Sequence, residues 1–78
     1  SVQLVAKHPV WVEVKDAKTN LLLQRVLRSK ETFEASGVPP LSVVIGRVSA
    51  MESVSARGAT IDLTPVTSSN DIARFEVR

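Results

Sequence analysis

Apolar and polar positions alternate with a period of two along most of this chain, the spacing of half-buried strands rather than helices. Val2–Ala6 predicts a first strand, closed by His8-Pro9, where proline cannot donate to a central ladder. Val10–Lys15 predicts the second, Asp16 through Asn20 supply turn formers, and Leu21–Leu27 predicts the third. The run Arg28-Ser29-Lys30-Glu31 turns the chain into a short strand at 32–34. Ser36-Gly37-Val38-Pro39-Pro40 is a cluster of breakers, and Leu41–Ile45 after it reads as a continuous apolar strand ended by Gly46. Residues 47–51 leave room for a single helical turn. Val54 lies in a short strand before Arg57-Gly58, and residues 60–63 answer it as a hairpin partner. Residues 65–70 read as loop. Residues 71–77 form the closing strand, with Ala73, Phe75 and Val77 on one face and Ile72, Arg74 and Glu76 on the other. Turn signals recur about every 8 to 12 residues, so the pattern predicts an all-β fold. The expected form is a small antiparallel β-sandwich of about six to eight short strands with at most one short helical turn.

Trp11 breaks phase with Val10, Val12 and Val14. A hairpin centred on residues 16–20 places Trp11 on the face of Leu21, Leu23, Arg25 and Leu27. The three valines then share the other face with Leu22, Gln24 and Val26. The valine face is apolar at all but Gln24, so it is the expected core, and Trp11 is expected outside beside Arg25 or Leu27. A slip of one residue in this register would regroup every partner.

Composition narrows the function classes. Seventy-eight residues make one β domain, 1–78, with no room for a second core. The absence of cysteine excludes disulfides, thiol catalysis and cysteine-based zinc sites. Net charge is +2, and the ten basic residues are scattered among acids, as with Glu13 near Lys15 and Glu76 near Arg74. A nucleic-acid binder more often carries a basic stripe, so no nucleic-acid partner is expected. The apolar runs at 21–23 and 43–45 fall far short of the roughly 20 residues that cross a bilayer. The chain opens on Ser1-Val2-Gln3-Leu4, as expected of a domain cut from a longer protein, with a processed mature chain as the alternative.

Little in the chain suggests chemistry. His8 is the sole histidine; it precedes a proline at a strand edge, and no Gly-x-Ser-x-Gly elbow accompanies it. Asp16, Asp62 and Asp71 each sit beside a turn or strand end, where aspartate ordinarily bonds backbone amides. One histidine with dispersed carboxylates is poor provision for a metal, and the separated glycines build no phosphate loop, so no metal or cofactor is expected. Gly58 suits a hairpin turn, and Gly46 suits a close approach of backbone. Arg74 reads as a solvated strand residue or a partner contact. Trp11 reads as a cross-strand packing residue or a binding anchor of the kind found at interfaces.

Several stretches, taken in order, carry a resemblance: Trp11-Val-Glu-Val-Lys-Asp-Ala17, the run 21–33, Pro39-Pro-Leu-Ser-Val-Val-Ile-Gly-Arg47, Gly58-Ala-Thr-Ile-Asp-Leu-Thr-Pro65, and Asn70-Asp-Ile-Ala-Arg-Phe-Glu-Val77. Together they cover almost the whole chain, and it resembles the C-terminal periplasmic domain of the RodZ family of bacterial cell-shape proteins. Lys30 departs from the family by standing where glycine often precedes glutamate, and Thr19 stands at a turn site where glycine is common. The resemblance implies a place on the periplasmic side of the bacterial inner membrane, held there by a membrane segment outside this fragment. It implies a non-catalytic interaction or stabilising module linking the cytoskeleton to the cell-wall elongation machinery, with proteins of that complex as partners. It carries over no catalytic residues. From the strand argument itself, Trp11, Glu13 and Arg25 form the expected contact face. The alternative is a binding module for peptidoglycan fragments, stacking a sugar on Trp11, though one tryptophan, two phenylalanines and no tyrosine make a thin platform.

Overall fold

The computed structural model describes residues 2–78. Among them the chain forms eight strands: β1 (Val2–Ala6), β2 (Val10–Lys15), β3 (Leu21–Leu27), β4 (Thr32–Ala35), β5 (Leu41–Ile45), β6 (Met51–Ala56), β7 (Ala59–Thr60) and β8 (Ala73–Val77). They pair antiparallel in two four-stranded sheets, ordered β4-β1-β6-β7 and β3-β2-β5-β8. The alternation along each strand decides what the sheets enclose. Val2, Leu4 and Val54 from the first sheet meet Val10, Val12, Val14, Val43 and Ile45 from the second, and none is more than 2% exposed. Branched side chains dominate this layer because they pack well on a pleated surface while losing little rotamer freedom. The valine side of β2 is therefore the core, as the pattern predicted.

A single helical turn occupies Val48–Ala50, inside the segment expected to hold one. A second lies at Thr64–Val66, overlapping the start of the stretch 65–70 read as loop. There Pro65, with its fixed φ and no N–H to lose, suits the first turn of a helix. The partner strand of the 57–58 hairpin is shorter than the pattern suggested, only Ala59–Thr60.

The predicted hairpin register is wrong by one residue beyond its turn. Lys15 pairs with Leu21 as expected, but Val14 pairs with Leu23, leaving Leu22 as an extra residue in a bulge. Every later pair is shifted: Val12 faces Arg25, Trp11 faces Val26 and Val10 faces Leu27. A bulge of one residue flips all side chains past it to the opposite side of the sheet. Leu23 and Leu27 accordingly join the valines in the core, while Gln24 and Val26 join Trp11 outside. Leu22 itself leans toward the breaker cluster. A side chain on Gly37 would have its first carbon 2.9 Å from Leu22 Cδ1, so the glycine leaves room for the bulged leucine.

Among the described residues, four other than glycine turn the chain with positive φ: Thr19 (62°), Lys30 (66°), Arg57 (53°) and Asp71 (63°). Thr19 and Lys30 are the two positions where the chain departs from the glycine of the resembling family. The turns keep a glycine conformation without the glycine.

Candidate functional site

Each sheet leaves an outer face accessible, and the exposed tryptophan lies on that of the β3-β2-β5-β8 sheet. Its side chains follow from the register. Trp11 lies opposite Val26. Gln24, Glu13, Val44 and Arg74 form one row across all four strands, and Lys15, Ser42 and Glu76 form the next across β2, β5 and β8. Trp11 is 39% exposed and Val26 53%. The indole is held in place from below. Gly46 donates its N–H to the Trp11 carbonyl at 2.8 Å, and a carbon added to Gly46 would lie 3.6 Å from indole Cε3. The ring thus covers a backbone that has no side chain, which is why Gly46 ends β5 where it does. Glu13 accepts a hydrogen bond from Gln24 Nε2 at 2.7 Å, fixing the carboxylate beside the indole.

Of the expected trio, Trp11 and Glu13 share this face and Arg25 does not. The bulge turns Arg25 to the inner side of an edge strand, where it reaches toward the other sheet. Its guanidinium donates to both oxygens of Glu31, at 3.1 and 2.6 Å, and lies 5.7 Å from the centre of the Phe33 ring. It also donates to the carbonyl of Val26 at 3.3 Å. The Arg25 hydrogen bonds, joined by the N–H of Arg28 at 2.8 Å, lower the Glu31 carboxyl to about 2. In return, the Glu31 hydrogen bond raises Arg25 above its ordinary value. An inward-pointing charge on an edge strand blocks pairing with another chain. Arg25 therefore closes the seam between β3 and β4 and covers the β3 edge.

The remaining titratable candidates serve turns. Burial pushes the Asp16 carboxyl up, but hydrogen bonds from the Asn20 N–H and side chain and the Lys18 N–H outweigh it and leave the group lowered. Asp62 is lowered by the N–H of Thr64 at 3.0 Å. Asp71 is lowered by Ser49, whose hydroxyl and N–H lie 2.6 and 3.1 Å from one carboxylate oxygen. His8 is exposed in its turn, its N–H bonded to the Ala50 carbonyl at 3.0 Å. Among the described residues no group of three His, Cys, Asp or Glu could hold a metal ion, and no helix is long and apolar enough to cross a membrane.

One feature escaped the sequence pattern. A cleft of about 300 Å³ opens beside β8, lined by Val66, Ser68, Asn70, Ile72 and Arg74. It forms because the chain folds back on itself: Thr67 bridges Ala73, and Ser68 donates its N–H to the Ile72 carbonyl at 2.8 Å. The turn-forming run Ser68-Ser69-Asn70-Asp71 before a strand bearing an outward arginine was the only signal for it.

These features define a class, the small two-sheet antiparallel β domains whose accessible feature is a sheet face and an adjoining edge rather than a pocket of reactive groups. The chain belongs to the RodZ C-terminal domain family, whose model matches residues 3–76. No curated protein and no solved structure shows significant similarity to it.

Proposed function

We propose that this chain is a non-catalytic interaction module of a RodZ-like cell-shape protein. It works on the periplasmic side of the bacterial inner membrane and links the cytoskeleton to the cell-wall elongation machinery. Its partners are proteins of that complex, and a segment outside this chain holds it to the membrane. The family match across residues 3–76 carries the reading. The half-exposed Trp11 beside Val26 supports it, because an aromatic anchored from below and open above is the residue type that dominates interface energetics. The test is replacement of the C-terminal domain of a RodZ protein by this chain in rod-shaped cells. Restored cell width, lost again with Trp11→Ala in a folded domain, is the expected result. Round cells with a normally folded and correctly placed chimera would overturn the reading.

The exposed indole also favours a second reading, binding of wall fragments by stacking on a sugar ring. Titration with soluble muropeptides, followed by Trp11 fluorescence, separates the two. Saturable quenching supports the wall-ligand reading, and an unchanged spectrum removes it.

A further inference from the structure

The four sheet edges are not equally available. Arg25 covers β3, β4 has four residues and β7 only two. The edge of β8 is different. Thr67 bridges it at Ala73 and the turn at Thr64–Val66 packs against the start of the strand, but no strand pairs with residues 74–77 on that side among the described residues. The cleft lies at the point where the covered part of this edge meets the free part.

Its lining is rich in hydrogen-bond donors and free of acids. The ion pair between Arg25 and Glu31 is the only one among the described residues, so Arg74 has no carboxylate partner there. The Ser68 hydroxyl accepts the N–H groups of Asn70 and Ile72 at 3.3 and 3.4 Å, leaving its own proton to be donated outward. Asp71, next in sequence to Asn70, turns its carboxylate away to Ser49. Val66 and Ile72 supply an apolar floor. A guanidinium, a hydroxyl proton and an amide around apolar carbon match a carboxylate carried beside an apolar side chain.

We propose that the cleft and the adjoining edge of β8 receive an extended peptide segment bearing a carboxylate. The segment pairs main chain to main chain with residues 74–77, past the point where Thr67 ends. Its acidic side chain stands across from Arg74 on the outer face, as opposite charges do in neighbouring strands. This names the partner chemistry of the interaction module and so rests on the function proposed above.

The probe is a short capped peptide with one glutamate among alternating valines and threonines, its twin carrying glutamine, and a wall stem peptide, each titrated into the ¹⁵N-labelled chain. Shifts confined to residues 66–77, slowed amide exchange along 74–77, and binding about tenfold weaker for the glutamine twin are expected. Arg74→Gln should weaken the glutamate peptide equally and make the two twins indistinguishable, while leaving the rest of the spectrum unchanged. Equal binding of the twins, shifts elsewhere, no response to either, or a response at this edge to the stem peptide alone would overturn the proposal. If the edge fails to respond while the chimera still restores cell width, the cleft assignment falls and the interaction module stands. If the chimera fails too, both fall.

Discussion

Thr19 and Lys30 offer a measurement of strain that the backbone itself defines. Their φ values, 62° and 66°, lie in the left-handed region. An L-residue there costs about 1–2 kcal/mol, most for a β-branched side chain such as threonine. Glycine removes that cost but loses more chain entropy on folding, about 0.4–1 kcal/mol. The net gain expected from Thr19→Gly or Lys30→Gly is about 0.5–1 kcal/mol each. What the substitutions remove is small. Thr19 gives up one exposed hydroxyl bond to the neighbouring Lys18 carbonyl, and Lys30 keeps its backbone N–H bond to the Ala6 carbonyl. The two turns join different strand pairs, at opposite ends of β3, so the effects should add to about 1–2 kcal/mol, a rise in Tm of roughly 5–10 °C for a chain of this size.

Urea unfolding followed by the fluorescence of Trp11, the sole tryptophan, measures the gain. Thr19→Ala is the control. It deletes the hydroxyl but retains the Cβ, so it should leave stability within about 0.5 kcal/mol of the parent. Asp71→Gly is the counter-example. Its φ of 63° is the same, but its carboxylate ties Ser49 to the start of β8, so glycine there should lower stability. If Thr19→Gly and Lys30→Gly are less stable than the parent, or if Thr19→Ala gains as much as Thr19→Gly, the conformational reasoning is refuted.

Arg25→Ala should expose Phe33 and free the Val26 carbonyl, giving concentration-dependent self-association in sedimentation velocity; a strictly monomeric variant would deny Arg25 its role at the edge. Glu31 has a folded-state pKa of about 2 against an ordinary 4.5, so its stabilisation is complete above pH 4.5 and lost as pH falls toward 2. Glu31→Gln should flatten that limb of the acid-unfolding curve, and an unchanged limb would count against the Arg25 bond. Gly46→Ala places a carbon 3.3 Å from the Trp11 carbonyl, which should cost about 1–2 kcal/mol and shift indole emission to the red. Unchanged emission would mean the ring does not rest there. Trp11→Ala should cost about 1–2 kcal/mol in unfolding, well below the roughly 3–5 of a core tryptophan. Under the function proposed above its larger effect should be on partner binding, read by affinity for a protein that the chimera captures from cells.

Much of the architecture was legible because alternation is a physical constraint. Val10, Val12 and Val14 cannot face water together without cost, and residues 41–45, 73, 75 and 77 obey the same rule. The skipped residue in β3 was not legible. Leu21, Leu22 and Leu23 are chemically identical, so no pattern of polarity tells which of them stands outside the ladder. What decides it is distant: the space above Gly37, which Leu22 fills. That single choice then carried Arg25 to the wrong face in the sequence-based reading, while leaving Trp11 and Glu13 where they were expected. The cleft was illegible for a related reason. It depends on Thr67 meeting Ala73 and on a serine hydroxyl closing its own turn, contacts that leave no periodic trace.

The two strand arginines show how the side of the pleat determines what an edge can do. Arg25 and Arg74 both occupy edge strands, and each would meet a pairing partner first. Arg25 points inward, where Glu31 satisfies its charge and its guanidinium takes the Val26 carbonyl that an incoming strand would need. Arg74 points outward beside Val44, with no acid opposite it in the sheet. The first edge is closed by its own arginine, and the second is left with an arginine that makes no ion pair among the described residues. Had the β3 ladder lacked its bulge, Arg25 would share the outer face with Trp11, its bond to Glu31 would be broken, and β3 would become a second open edge. The extra leucine therefore does more than adjust a hairpin. It leaves one edge of the sheet, rather than two, chemically prepared for a partner strand.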